Sequence, residues 1–337
     1  VTQTAANKGN LLLPALIAAT VLILAVCPFV GMQTISPAAV LNASGDDSAY
    51  RIFWSLRVPR VLTAFLAGSG LALGGLCFQA MFRNALATPF TLGVASGASL
   101  GVALCVKTGL VFTLLGAPGE TVFAFGGAML AVGVVYGLTR LRGGCSTTTM
   151  LLAGVAVSFF FSSLILFLQY ISDFADTFRI VRWLMGGVEA AGYRSPAALG
   201  AFLLIGALLV LLNTAELDLL TVGDEFAISR GVNVPRTKAV LFVAVSFLIA
   251  GVVAVCGPIG FVGMICPHIC RLLLGPGHRR LIPAALLAGG AGLTLCDAVA
   301  RTLVAPVEIP VGIVTALLGG PFFLWLLLRD DNEGALT

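Results

Sequence analysis

The sequence predicts an all-α polytopic membrane protein of about ten transmembrane helices, and three observations lead to that class. Hydrophobic residues make up 59% of the 337-residue chain and charged residues only 10%, with a mean hydropathy of +1.06. No soluble domain hides that much apolar surface. The apolar residues are gathered into long runs separated by short polar breaks. Forty glycines suit helices packed backbone to backbone in a bilayer, where small residues permit close approach. The net charge of +4 is dispersed and forms no basic cluster, which excludes nucleic acid as a partner.

The first span is residues 11–32, preceded by Lys8. Leu24-Ala-Val-Cys27 faintly resembles a lipoprotein cleavage site, but the run exceeds a signal core and many spans follow, so a retained helix is expected. Residues 33–60 form an outside segment with Asp46, Asp47, Arg51, Arg57 and Arg60. Span two is residues 61–82, rich in small residues, closed on the inside by Arg83 and Asn84. A tight turn over 85–89 leads to a short third span, 90–106, and span four, 122–141, ends in the basic turn Arg140-Leu-Arg142. Span five is 148–170. A second outside segment, 172–195, holds Asp173, Asp176, Arg179, Arg182 and Trp183-Leu-Met-Gly-Gly187. Span six is 197–212 and span seven 240–257, which Gly257-Pro-Ile-Gly260 breaks before a short eighth span, 261–274. Arg271, His278, Arg279 and Arg280 mark the next inside turn, and spans nine (281–304) and ten (311–328) complete the chain.

Ten spans put both termini in the cytoplasm, and most inside arginines and lysines obey the positive-inside rule. Arg51, Arg57, Arg60, Arg179, Arg182, Arg194 and Arg301 fall outside and oppose it. Two reasons fit: docking of an acidic soluble partner, or simple solvation of loops. Arg57 and Arg60 are three apart, so one helical turn lets both face outward together. Spans two to five and seven to ten have equal helix counts and opposite orientation, which is an inverted-repeat arrangement. Residues 89–101 (PFTLGVASGASLG) and 310–319 (PVGIVTALLG) echo one another.

Between spans six and seven lies a polar island, residues 216–238, ELDLLTVGDEFAISRGVNVPRTK. Two membrane helices can be joined by far fewer polar residues. Leu219, Leu220, Val222, Phe226 and Ile228 are interleaved there with Asp224, Glu225 and Arg230. Gly231 is placed to end a short helix, with Pro235 soon after, so one or two short amphipathic helices are expected. Such a folded loop offers a surface for another protein to grip; the alternative is a helix resting on the lipid surface. Arg230, Arg236 and Lys238 put it on the cytoplasmic side.

The chain has no enzymatic constellation of its own. None of Lys8, Lys107 and Lys238 is preceded by a phosphate-loop glycine pattern, and no nucleophilic triad or carboxylate pair stands out. The eight cysteines lie mostly in apolar runs and imply neither disulfides nor, at Cys266-Pro-His268-Ile-Cys270, a metal site. Asp297 and Arg301, four apart in span nine, can pair on one helix face and fix packing. No unpaired midplane carboxylate suited to a proton- or sodium-coupled carrier is evident.

Arg57-Val-Pro-Arg60 and residues 257–283, GPIGFVGMICPHICRLLLGPGHRRLIP, resemble the permease subunits of bacterial ATP-binding-cassette importers for iron–siderophore, haem and cobalamin. Arg83-Asn-Ala-Leu-Ala-Thr-Pro-Phe-Thr-Leu-Gly93-Val is similar to that family's turn after span two. Glu308-Ile-Pro-Val-Gly-Ile-Val-Thr315 with Gly320-Pro-Phe-Phe is similar to its last span. Ala85 departs from the family's usual proline, and Cys266 and Cys270 from its aliphatic or polar residues. The resemblance covers nearly the whole chain and implies one permease domain over 1–337, in the bacterial inner membrane, paired with a second copy or close homologue around a central pathway. It implies two cytoplasmic ATPase subunits, which would bind ATP and magnesium and grip the 216–238 loop through Asp224, Glu225, Arg230 and Gly231; this chain would hold no cofactor. It implies a periplasmic substrate-binding protein docking at Arg57, Arg60 and Arg301, and a cytoplasmic gate at Asn84, Leu86, Thr147 and Thr148. A secondary carrier or channel that needs no ATPase is the competing function class.

Overall fold

The computed structural model describes residues 2–33, 35–37, 40, 48–85, 87–141, 147–189 and 192–330. Out of water, a backbone must satisfy its own N–H and C=O groups, and the apolar runs accordingly become helices. In chain order these are α1 (Thr2–Val26), α2 (Ser48–Ile52), α3 (Val58–Phe82), α4 (Val94–Thr108), α5 (Gly119–Leu141), α6 (Thr147–Tyr170) and α7 (Phe174–Leu184). They continue with α8 (Arg194–Leu212), α9 (Thr214–Val222), α10 (Asp224–Ser229), α11 (Val234–Cys256), α12 (Val262–Leu274), α13 (His278–Thr302) and α14 (Val311–Asp330). Among the described residues, seven helices are long and apolar enough to cross a membrane: α1, α3, α5, α6, α8, α11 and α13. Three shorter apolar helices, α4, α12 and α14, occupy the positions of the other expected spans.

Two expected boundaries are wrong in an instructive way. Span two does not begin at Val61: a π-helical turn, Phe53–Arg57, joins α2 to α3, and the apolar stretch runs Ser48–Phe82. Span seven begins at Val234 rather than 240, because Asn233 caps α11 by accepting the Arg236 N–H at 3.2 Å and Pro235 fits its first turn. In both places a charge assigned to solvent is neutralised within the protein, Arg60 by Asp297 far along the chain and Lys238 by Asp224 of the same loop. The 172–195 segment also contains an unforeseen helix, α7, whose Asp173 carboxylate accepts the Asp176 N–H at 2.8 Å.

The bundle is built around α3. Of its apolar 18-residue segment 83% is buried, and of that in α11 72%, against 22% for α6 and α8. The outer helices therefore offer apolar flanks to lipid or to another chain. α3 and α13 lie antiparallel, since Arg60 near the start of α3 reaches Asp297 near the end of α13. They touch at glycines: a Cβ on Gly68 would stand 2.2 Å from the Gly289 carbonyl oxygen, and one on Gly289 2.5 Å from that of Gly68. Each helix has 25 residues, about 37 Å of rise, enough to link the two faces of a bilayer.

Helix contacts repeat in the order that an inverted repeat requires. α3 packs on α13 as α11 packs on α5, and α3 on α12 as α11 on α4. α4 meets α5 and α6 as α12 meets α13 and α14, and α5 meets α6 as α13 meets α14. That relation pairs α4 with α12, so the echo between 89–101 and 310–319 is not the signature of the repeat; it joins α4 to α14, whose counterpart is α6. Between α11 and α12, residues 257–261 have no helical backbone, and Gly187 N–H donates to the Cys256 carbonyl at 2.8 Å. Irregular chain at this depth is tolerated where protein covers it, as it covers Gly257 and Ile259.

Candidate functional site

Polar side chains gather at the two ends of the α3–α13 pair. At the end where α3 starts, Asp297 is fully buried and holds Arg60 Nε at 3.1 Å on one oxygen and Arg301 Nε at 3.0 Å on the other. Arg60 also reaches Glu308 at 2.7 Å. Arg301 Nη1 donates to the Val30 carbonyl at 3.0 Å. Arg57 donates to the carbonyls of Pro28 at 3.2 Å, Phe29 at 3.1 Å and Gln33. These two guanidinium groups satisfy carbonyls that the end of α1 and its last turn, Cys27–Phe29, leave without helical partners.

The three arginines named from the sequence therefore do come together. With Glu189 and Glu308 they line one cavity of about 730 Å³. Arg57 and Arg60 do not face outward together, however. Arg57 is 8% exposed and Arg301 4%, and Arg60, with 18% of its side chain exposed, is the most open of the three. The other outside arginines are also accounted for in part by pairing: Arg179 with Glu120 at 2.6 Å and Arg182 with Glu189 at 2.9 Å, both exposed.

At the opposite end, the 216–238 loop folds as two short helices, α9 and α10, hinged at Gly223. Leu217, Leu220 and Ala227 are buried against the bundle, while Val222, Phe226 and Ile228 are exposed. α10 ends in a left-handed turn: Gly231 (φ +85°) donates its N–H to Ile228 O at 2.9 Å, and Val232 to Ala227 O at 3.0 Å. Only glycine takes that φ without strain, which is the role read for Gly231. Glu225 is exposed and Arg230 lies 5.4 Å over the Phe226 ring. The loop is anchored twice. Asp218 accepts the His278 N–H at 2.9 Å and lies 2.6 Å from its Nδ1. Asp224 pairs with Lys238 at 2.6 Å.

The turn after α3 abuts this loop, since a Cβ on Gly223 would lie 3.6 Å from Arg83 Nη1. Asn84 is exposed in that turn. Thr147, half-buried, is the first residue of α6 and accepts from Lys238 Nζ at 3.1 Å; Thr148 beside it is exposed. Leu86 lies outside the described residues. Sequence reasoning missed Lys238, Asp218, His278 and Glu308 as members of these clusters. Lys238 did carry a signal, a single cation just inside an apolar run, but it served only to orient the loop.

A family model described as the FecCD transport family matches residues 16–329. The hemin transport system permease protein HmuU of Yersinia pestis is 38% identical over 304 residues, 90% of this chain and 91% of that protein. The vitamin B12 import system permease protein BtuC of Klebsiella pneumoniae is 36% identical over 310 residues, 90% of this chain and 89% of the relative. A solved metal-chelate type ABC transporter in an inward-facing conformation superposes with a TM-score of 0.83 and 32% identity, covering 94% of this chain and 99% of that one.

Proposed function

Because the chain belongs to the FecCD transport family, we propose that it is the membrane-spanning permease subunit of an ATP-driven importer for a metal chelate of the iron–siderophore, haem or cobalamin class. The observation that carries this reading is the anchored loop of α9 and α10, which buries Leu217 and Leu220 yet presents Val222, Phe226 and Ile228 outward. A loop needed only as a connection has no reason to be folded and apolar on its outer face. Two ATPase subunits, holding ATP and magnesium, dock on that face in the assembled importer, with Asp224, Glu225 and Arg230 at its rim.

In this reading all ten apolar helices span the inner membrane, both termini are cytoplasmic, and two permease subunits form the pathway between them. A substrate-binding protein docks at the opposite end, over the cavity lined by Arg57, Arg60 and Arg301. Arg60 is the contact residue there, because an incoming carboxylate can exchange with the exposed Glu308, whereas Arg57 and Arg301 hold the platform's shape. Asn84, Leu86, Thr147 and Thr148 make the cytoplasmic gate, close to the loop that the ATPases grip.

Co-purification tests the reading. The tagged chain should retain a P-loop ATPase at one ATPase per permease, and replacing Phe226 and Ile228 by Ser should release it while the chain still inserts. A chain that transports without any ATPase would instead be a secondary carrier or channel.

A further inference from the structure

Lys238 is 1% exposed, and it is the cation through which the ATPase-facing loop and the head of α6 meet. Its ammonium donates to Asp224 Oδ2 at 2.6 Å, on the first residue of α10, and to Thr147 Oγ1 at 3.1 Å, on the first residue of α6. From the geometry we infer that Lys238 is a positioning residue of the transport cycle, a relay that delivers displacement of α10 to the gate segment at Thr147. The inference rests on the permease reading above and assigns to one side chain the link between its two cytoplasmic parts.

The physical reason is the burial of the charge. A buried ammonium that loses its carboxylate is strongly disfavoured, so Lys238 follows Asp224 or takes up another acceptor. Its root is fixed, because Lys238 stands on α11, one of the two most buried spans of the bundle, and only the flexible four-carbon stem can adjust. Asp224 is the partner on the outer side: α10 has six residues, is set off from α9 by the break at Gly223, and shows 36% of the Asp224 side chain to the outside. The second carboxylate oxygen, Asp224 Oδ1, is buried and makes no hydrogen bond among the described residues. Neither oxygen is free to be captured from outside, since Oδ2 is held by Lys238 and Oδ1 is buried, so a docked ATPase subunit acts by shifting α10 as a whole, and the ammonium is then pulled from Thr147 or held to it according to the loop's position. Small shifts become discrete because the ammonium either keeps both acceptors or loses one.

The test uses the full permease–ATPase complex in proteoliposomes, with Thr148→Cys as reporter in a Cys145→Ser background and a maleimide as probe. With Lys238 and Thr147 intact, labelling should differ by about fivefold or more between the nucleotide-free and ATP–vanadate states, the lower end of an ordinary coupling between sites. T147V keeps the side-chain shape and leaves the Asp224 pair in place, yet should shrink that difference to less than about twofold. K238Q should do the same, and K238R, which keeps the charge and the donors, should restore most of it. In both uncoupled variants ATP hydrolysis should continue while chelate taken up per ATP falls. If T147V and K238Q respond to nucleotide as the parent does, the relay is wrong and the gate reading stands. If the parent itself shows no nucleotide response at position 148, the gate reading fails and the relay with it.

Discussion

Replacing Asp297 by Asn removes one charge from the centre of the outer cluster without changing the side chain's shape. Asp297 is fully buried and serves two guanidinium groups, at 3.1 Å and 3.0 Å. Arg301 shows 5% of its side chain and keeps only carbonyl partners afterwards, while Arg60 retains Glu308. Breaking a buried ion pair from one side costs ~3–5 kcal/mol. Asn still offers a carbonyl oxygen and Arg60 still has a carboxylate, so the lower end, about 3 kcal/mol, is expected for D297N. Removing the exposed partner instead, with E308Q, should cost only ~0.2–1 kcal/mol. Reversible unfolding of the purified permease in mixed micelles measures both. The double variant D297N/R301M should recover a large part of the loss, because it removes the stranded cation as well. A D297N protein no less stable than E308Q would refute the buried-network argument.

Three further outcomes follow from the same geometry. R57M should lose more stability than R60M under the same unfolding assay, since Arg57 holds three carbonyls around the end of α1, whereas Arg60 should affect docking of the binding protein and its salt dependence more. G68A should lower folded yield sharply, by ~3 kcal/mol or more, because its Cβ would meet the Gly289 carbonyl at 2.2 Å and a helix backbone cannot rotate away. G231A should cost about 1–2 kcal/mol of local strain at φ +85° and weaken ATPase retention in pull-down, while membrane insertion is unchanged.

The helical class, the Gly257 break and the folded loop ending at Gly231 were legible because each is a local pattern: an apolar run, a Gly-Pro pair, a glycine after an amphipathic stretch. The early starts of α3 and α11 were not. Arg57 and Arg60 look like solvent residues in one dimension, but their partners stand far along the chain; Asp297 is 237 residues from Arg60. Lys238 was hidden for a different reason: its neutralising Asp224 is only 14 residues away, but it is placed beside the ammonium by the turn at Gly231 and the cap at Asn233, which no helical spacing reports. The inverted repeat was legible in helix count and not in the echo, because glycine spacing in a membrane helix reports close packing, whichever neighbour supplies it. That Arg57, Arg60 and Arg301 belong to one docking site came from the resemblance of motifs, and no spacing rule could have joined Arg57 and Arg60 to Arg301 on α13.

The most direct measurement is uptake into proteoliposomes holding this permease and its P-loop ATPase, with the binding protein loaded in turn with haem, cobalamin or a ferric siderophore. One of these chelates should accumulate with ATP on the ATPase side, and accumulation should vanish when the ATPase is omitted or its phosphate-loop lysine is replaced. Uptake that persists without the ATPase and follows a proton or sodium gradient would contradict the permease assignment.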